Sequence, residues 1–271
     1  MSLKKIYFPV EKVPVVDLLP DHDSDSEISH AIVTGEKKIL HYCAEGYELV
    51  TNEQIYKPIF RTLCKAFGKE NIKTQVKMSR DAQFYVDFLL QVPEMSINIG
   101  RKNDIIIPRL RVQNSYNGKI KYAYKMGWWR LVCSNGASVP VEGTNVYEGT
   151  FLHTAQLSNG EAAKHLQTMA TRFINEGAST YENFKVLLDR QVDDIEARIT
   201  EIAEMVEFPK RQIQPAIERA FIEMKDFKIR STDWLAYNGL TYILSNSDMK
   251  MEEPLREKLE KAIFKYTFEN E

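Results

Sequence analysis

The stretch DIIIPRLRVQNSYNGKIKYAYKMGWWRLVCSNGASVP, residues 104–140, decides the fold. It is the most strand-like part of the chain, dense in the β-branched and aromatic side chains that favour sheets. Asn117-Gly118 lies inside it, and this dipeptide is the strongest short signal for a two-residue hairpin turn. The stretch therefore predicts adjacent antiparallel strands on either side of that turn.

Strand and helix signals also precede this stretch. Residues 1–20 alternate apolar and polar side chains around three prolines, as in an edge strand or an extended arm. Residues 38–51 predict a hairpin around Glu45-Gly46, and residues 72–92 return to strand character. Between them, Asn52 as N-cap and Gly68 as terminator delimit one predicted helix. Its apolar stripe consists of Ile55, Ile59, Leu63 and Phe67. The order β-β-α-β-β-β predicts one antiparallel sheet with a helix packed on a face.

Beyond residue 155 the apolar periodicity becomes helical. Helices are predicted over residues 158–177, 180–207, 210–224 and 254–268, with cap signals at Ser179-Thr180 and Ser231-Thr232-Asp233. The long apolar stripe within residues 181–208 packs inside the fold or against a partner chain. The predicted fold is α+β: an antiparallel sheet with a packed helix over residues 1–153, and a helical region packed on it over residues 154–271.

Composition limits the classes of function. The 271 residues carry a net charge of −2, so no global positive field holds nucleic acid or an anionic membrane, and binding of nucleic acid requires a local patch. The three cysteines are widely spaced, which argues against a disulfide framework and a thiolate zinc site. Because no signal peptide or spanning segment is recognisable, we expect a cytoplasmic protein with no membrane partner.

The predicted hairpin offers a local cationic patch. With a two-residue turn, one face of the ribbon carries Arg109, Arg111, Gln113, Tyr122 and Tyr124, and the other carries Asn114, Tyr116, Lys119, Lys121 and Lys125. Cations hold phosphates and rings stack on bases, which is what binding of single strands needs. The predicted nucleic-acid-binding residues are Arg109, Arg111, Lys119, Lys121, Tyr122, Tyr124, Lys125 and Arg130, and Lys73, Lys77, Arg80, Arg101 and Lys102 extend the patch. The alternative is an ordinary solvated hairpin, because tyrosines and charges are common there.

Catalytic and metal sites find less support. A nucleophilic Cys133 would need a base, which the sequence places neither at His41 nor at His153, so we expect Cys133 to be a packing residue. Asp81, Asp87 and Asp104 are the candidate ligands of a nuclease magnesium site, although nothing in their spacing requires one. We therefore predict no catalytic residue, no metal and no cofactor.

Four segments resemble a known family. They are Val112–Gly118 (VQNSYNG), Arg130–Gly136 (RLVCSNG), Tyr47–Glu53 (YELVTNE) and Thr232–Tyr242 (TDWLAYNGLTY). Their residues and their order along the chain resemble those of the phage- and plasmid-like proteins of domain-of-unknown-function family 932. The last segment lacks the histidine often found a few residues on, since Ser245-Asn246-Ser247 follows.

The resemblance implies a protein of a mobile element and does not imply a particular chemical activity. It implies structural roles for the motif residues Asn114, Asn117, Gly118, Trp129, Cys133, Asn135, Gly136, Trp234 and Asn238. Asn114 and Asn135 would satisfy turn backbone groups, Arg130 would pair with a carboxylate such as Asp87, and Trp234 and Tyr242 would lie in the core of the terminal helices.

Three functions follow as hypotheses. The first is a non-enzymatic, homo-oligomeric factor that binds or anneals single-stranded nucleic acid in mobile-element DNA metabolism. The second is a protein-interaction factor for counter-defence or host takeover, consistent with the net negative charge and the amphipathic segment 181–208. The third is a metal-dependent nuclease that uses the central carboxylates.

Overall fold

The computed structural model describes residues 6–21, 27–78, 82–98, 104–131, 135–137, 148–151, 168, 184–246 and 251–269. Its antiparallel sheets lie in the N-terminal half and most of its helices in the C-terminal half, which confirms the α+β class. The chain divides into two compact units. The first comprises Met1–Leu90, Leu110–Met126 and Val146–Thr171; the second comprises Gln91–Arg109, Gly127–Asn145 and Arg172–Glu271.

The strands form two sheets, not the single sheet that the sequence predicts. A three-stranded sheet has the order β1 (Val10–Pro14), β2 (His30–Thr34), β3 (Ile39–Cys43). A seven-stranded sheet has the order β10 (Glu148–Phe151), β8 (Tyr122–Arg130), β7 (Ile105–Ser115), β5 (Gln83–Leu90), β4 (Ile72–Met78). The short strands β6 (Ile97–Asn98) and β9 (Asn135–Ala137) pair with β7 and β8. Strands β7 and β8 pass from one unit into the other.

The hairpin predicted around Glu45-Gly46 is wrong. Strand β3 pairs with the preceding β2, in a register that sets His30 opposite Cys43. Glu45 and Gly46 form a turn closed by the Tyr47 amide and the Ala44 carbonyl, and the chain then leads into the helix without forming another strand. The predicted edge strand near the N-terminus is confirmed as β1.

Helix α1 (Asn52–Phe67) forms as its apolar spacing predicts. Ile55, Ile59 and Leu63 are buried, whereas Phe67, the last residue of the predicted stripe, is half-buried. Gly68 ends the helix with a φ of 81° that favours glycine. The N-cap is Thr51, one residue before the predicted position, because its hydroxyl and the Gln54 side chain form a reciprocal capping box.

Asn52 has a tertiary role instead. Its backbone N–H donates to the Tyr116 hydroxyl at 2.7 Å, and its side-chain Nδ2 donates to the Ile6 carbonyl at 3.1 Å. Asn114 donates to the side-chain oxygen of Asn52 and to the Val50 carbonyl, both at 3.1 Å. These bonds attach the start of α1 to the β7 hairpin.

The helices of the second unit are α2 (Ile195–Met205), α3 (Ile213–Phe227), α4 (Asp233–Asn246) and α5 (Glu253–Glu269). Helices α3 and α5 confirm the segments predicted over 210–224 and 254–268, and α4, for which only the cap signal at residues 231–233 was predicted, begins at that cap. The single helix predicted over 180–207 is wrong: residues 184–189 are helical, Gln191 then bridges to Thr232, and Asp194 caps α2. Most of the helix predicted over 158–177 lies outside the described residues.

Helices α3 and α4 approach each other closely at Gly239. A β-carbon at this position would lie 2.7 Å from the Ala216 carbonyl oxygen, a backbone atom that cannot give way cheaply. We expect Gly239→Ala to lower the free energy of unfolding by about 1–3 kcal/mol, although alanine is the better helix former. Urea denaturation measures the loss. Gly46→Ala is the control, because a β-carbon there has no neighbour within 4 Å, and an equal loss in both variants would contradict the close contact.

Candidate nucleic-acid interface

Arg111, the centre of the predicted patch, is buried with only 5% of its surface exposed. Its Nε donates to Oδ1 of Asp87 at 2.7 Å, and its Nη2 donates to Oδ2 at 2.8 Å. This fork-to-fork pair joins β7 to β5 inside the first unit. The guanidinium of Arg111 thus binds a carboxylate in the folded chain, and the contact with nucleic acid predicted for it stays a prediction.

The two tyrosines predicted to stack on bases are also buried. Tyr122 and Tyr124 are 5% and 0% exposed, and their ring centroids lie 6.2 Å apart in an edge-to-face arrangement. Burial raises the pKa of both phenols above its ordinary value. Each ring packs inside the protein, so neither offers a face to a base in this conformation.

Arg130 has other partners than the predicted Asp87. It is fully buried, donates through Nε and Nη2 to both oxygens of Asp104 at 2.6 and 2.7 Å, and donates through Nη1 to Glu223 at 2.8 Å. Its guanidinium lies 5.4 Å from the centroid of the Trp234 ring. Strand β8, helix α3 and helix α4 thus converge on one buried cation, which has a structural role.

The same network continues towards the surface of the second unit. Arg219 donates to the other oxygen of Glu223 at 3.1 Å and lies 4.3 Å above the ring of Tyr242. Arg109 is 5% exposed and lies 5.6 Å from the centroid of the Trp129 ring. Arg109 and Arg130 are thus buried in the folded chain, and the binding role predicted for them stays a prediction.

The lysines of the hairpin remain accessible. Lys119 and Lys121 are exposed and Lys125 is half-buried. The turn that presents them is held locally, since the side-chain oxygen of Asn117 accepts from the Lys119 amide at 3.1 Å and Gly118 has a φ of 68°. Lys73 and Lys77 on β4 are exposed as well, whereas Arg80, Arg101 and Lys102 lie outside the described residues.

Four further exposed cations, Lys57, Arg61, Lys65 and Lys69, were not predicted from the sequence, although their spacing is visible in it. Lysine or arginine occurs at every fourth position from residue 57 to residue 77, and all six side chains are exposed: Lys57, Arg61, Lys65, Lys69, Lys73 and Lys77. The first three lie on one side of α1, since residues four apart share a helix face. We call Lys57, Arg61 and Lys65 the α1 row. Lys57 also pairs with Glu53 across one helical turn.

Two motif residues of the second unit have the structural role that the resemblance implies. Trp234 is fully buried on α4, stacked on Tyr237 with centroids 5.7 Å apart. Asn238 is buried and donates to the Trp234 carbonyl at 2.6 Å.

Both tryptophans of β8 are buried, Trp128 with 3% and Trp129 with 7% of its surface exposed. Asn135 and Gly136 form the backbone of β9, opposite Arg130 and Trp129. Cys133 lies outside the described residues.

Two of the three candidate carboxylates have arginine partners. Asp87 and Asp104 each bind an arginine through both oxygens, and Asp81 lies outside the described residues. Within the described part of the chain, no three histidine, cysteine, aspartate or glutamate side chains come together as metal ligands. Every helix in that part is too short or too polar to span a lipid bilayer.

The chain belongs to the family described as Domain of unknown function (DUF932), whose family model matches residues 39–263. This match confirms, at the level of the family, the resemblance carried by the four sequence segments. No curated protein and no solved structure matches the chain.

Proposed function

We propose that this member of the family is a non-enzymatic nucleic-acid-binding protein of a phage or plasmid, which acts in annealing or a related step of DNA metabolism in the bacterial cytoplasm. The observation that carries the proposal is the exposed cationic segment that begins on α1. Residues 52–78 contain six lysines and arginines against the two acids Glu53 and Glu70, a local surplus of four positive charges in a chain of net charge −2.

Exposed cations of this density suit phosphate binding. Each cation that neutralises a phosphate releases condensed counterions, so binding is driven by ion release and weakens with salt. The surface pair of Lys57 with Glu53 offsets little of this, because exposed ion pairs are worth at most about 1 kcal/mol. The exposed Lys119 and Lys121 add to the cationic surface of the same unit. Tyr122 and Tyr124 contribute nothing to the proposal, since both rings are buried.

The test is fluorescence anisotropy with a labelled single-stranded oligonucleotide over a range of salt concentrations. We expect binding at low salt and a log–log salt slope that falls in magnitude by about 2 when Lys57, Arg61 and Lys65 are all replaced by glutamine. The matched control replaces Lys210, Arg211 and Lys225, two lysines and one arginine that are exposed in the second unit. No binding by the wild type at low salt, or an equal change of slope in the control, would overturn the proposal.

A protein-interaction function is the second candidate, and one observation favours it. Met205 on α2 and Phe221 and Ile222 on α3 expose 61%, 46% and 48% of their surfaces. Large apolar side chains at such exposure are typical of interfaces when they are contiguous. If they hold the homo-oligomer that we expect, Phe221→Ser with Ile222→Ser lowers the mass measured by light scattering to that of one chain, and an unchanged mass removes this interface.

A further inference from the structure

The outward side of α1 presents charge and no aromatic ring. Tyr56 and Phe60 belong to this helix, but both turn inward and stack with Phe88 of β5, at centroid distances of 5.4 and 6.4 Å. The two rings also stack on each other at 5.4 Å with planes 18° apart. The α1 row therefore extends for roughly 12 Å along the helix. The neighbouring rings of Tyr56 and Phe60 pack against Phe88 instead of lying beside the row.

Several other aromatic residues of the first unit also pack against the protein. Tyr122 and Tyr124 pack against each other, and Tyr116 is 1% exposed and accepts the hydrogen bond of the Asn52 amide. Tyr42 on β3, 42% exposed, is the one large aromatic side chain among the exposed described residues of this unit. Proteins that sequester single strands stack successive bases on a series of open rings. The described surface of this unit has cations in a row and no such series.

We infer that the α1 row holds nucleic acid by its phosphates alone and leaves the bases free. The inference rests on the proposed function and adds the ligand class of the site: the sugar–phosphate backbone, whether single- or double-stranded. Contacts to phosphate carry no sequence information and do not depend on whether a base is paired. A strand held in this way keeps its base edges open to a complementary strand, and the resulting duplex still presents phosphates to the row.

Because the α1 row holds the ligand by its phosphates, the bases of the ligand should not affect binding. Loss of the bases removes every stacking surface of the ligand but none of its phosphates. An abasic oligonucleotide should therefore bind the α1 row as a normal single strand does. A site that stacks bases behaves differently, because each stacked base contributes enough to change affinity by about tenfold or more.

The experiment measures anisotropy of the full chain with three labelled probes of equal length: a single-stranded DNA, its blunt duplex and an abasic single strand. We expect the normal and abasic single strands to bind within about threefold of each other at equal salt, and the duplex to bind at least as tightly because it releases more counterions per contact. Lys57→Gln with Arg61→Gln and Lys65→Gln should weaken all three. The matched triple variant of Lys210, Arg211 and Lys225 should leave all three unchanged.

The outcomes separate the inference from the proposal on which it rests. If none of the probes binds at low salt, the proposed function fails and the inference fails with it. If the single strand binds but the abasic strand is weaker by about tenfold or more, the proposed function stands and the phosphate-only inference is overturned. A tenfold preference for the single strand over the duplex overturns it in the same way.

Discussion

The Arg130→Met variant is expected to unfold with a free energy about 3–5 kcal/mol below that of the wild-type chain. Arg130 is fully buried, and its carboxylate partners Asp104 and Glu223 are 0% and 1% exposed. Methionine fills a similar volume but supplies no donor, so Asp104 loses its forked partner, while Glu223 loses the buried cation and keeps its salt bridge to Arg219. Chemical denaturation in urea, followed by circular dichroism, measures the change from the shift of the midpoint.

The control for this prediction is Arg61→Met on the exposed side of α1, which should change stability by no more than about 0.5 kcal/mol. Combining Arg130→Met with Asp104→Leu should recover part of the loss, because the neutral pair leaves one fewer uncompensated charge. A loss below about 1 kcal/mol in Arg130→Met alone would show that the network is hydrated in solution.

Local patterns in the sequence were sufficient for α1. The spacing of Ile55, Ile59 and Leu63 predicts which side of the helix is buried, and Gly68 predicts its end. The N-cap was placed one residue late because Asn52 is a good cap in isolation. Its hydrogen bonds go to Ile6 and Tyr116, 46 and 64 residues away, and no local rule encodes such partners.

The pairing of the strands was the first feature of the fold that the sequence did not determine. Alternation of apolar and polar residues marks β3 as a strand but says nothing about whether its partner precedes or follows it. The Glu45-Gly46 turn looks like a hairpin signal, yet the chain beyond it leads to Thr51 and the capping box. The strands therefore separate into two sheets where one was predicted.

The burial of the arginines was the second feature that the sequence did not determine. Sequence patterns assign charged side chains to solvent, because an unpaired buried charge is costly. Arg111 and Arg130 escape this rule through partners 24 and 93 residues away in the chain. The α1 row obeys the rule, because its side chains are exposed. Its regular spacing at every fourth residue is the signal in the sequence for this cationic surface.

Arg111→Met is expected to cost stability on a similar scale, about 3–5 kcal/mol, because Asp87 is 3% exposed and would be left as a buried carboxylate without its forked partner. The double variant Arg111→Met with Asp87→Leu should recover most of that loss, since replacement of a buried ion pair by apolar residues of similar volume is often neutral. Urea denaturation of the two single variants and the double variant forms a double-mutant cycle that measures the coupling.

The same double variant decides whether Arg111 also contacts nucleic acid. If the α1 row supplies the binding, a folded chain without Arg111 and Asp87 should bind single-stranded DNA with the affinity and salt slope of the wild type, because neither residue reaches the surface. If affinity falls while the unfolding midpoint is restored, the buried face of the sheet opens to the ligand, and the binding role predicted for Arg111 from the sequence would be recovered. Stability and affinity measured on one variant thus separate an arginine that holds two strands of the sheet together from one that holds a phosphate.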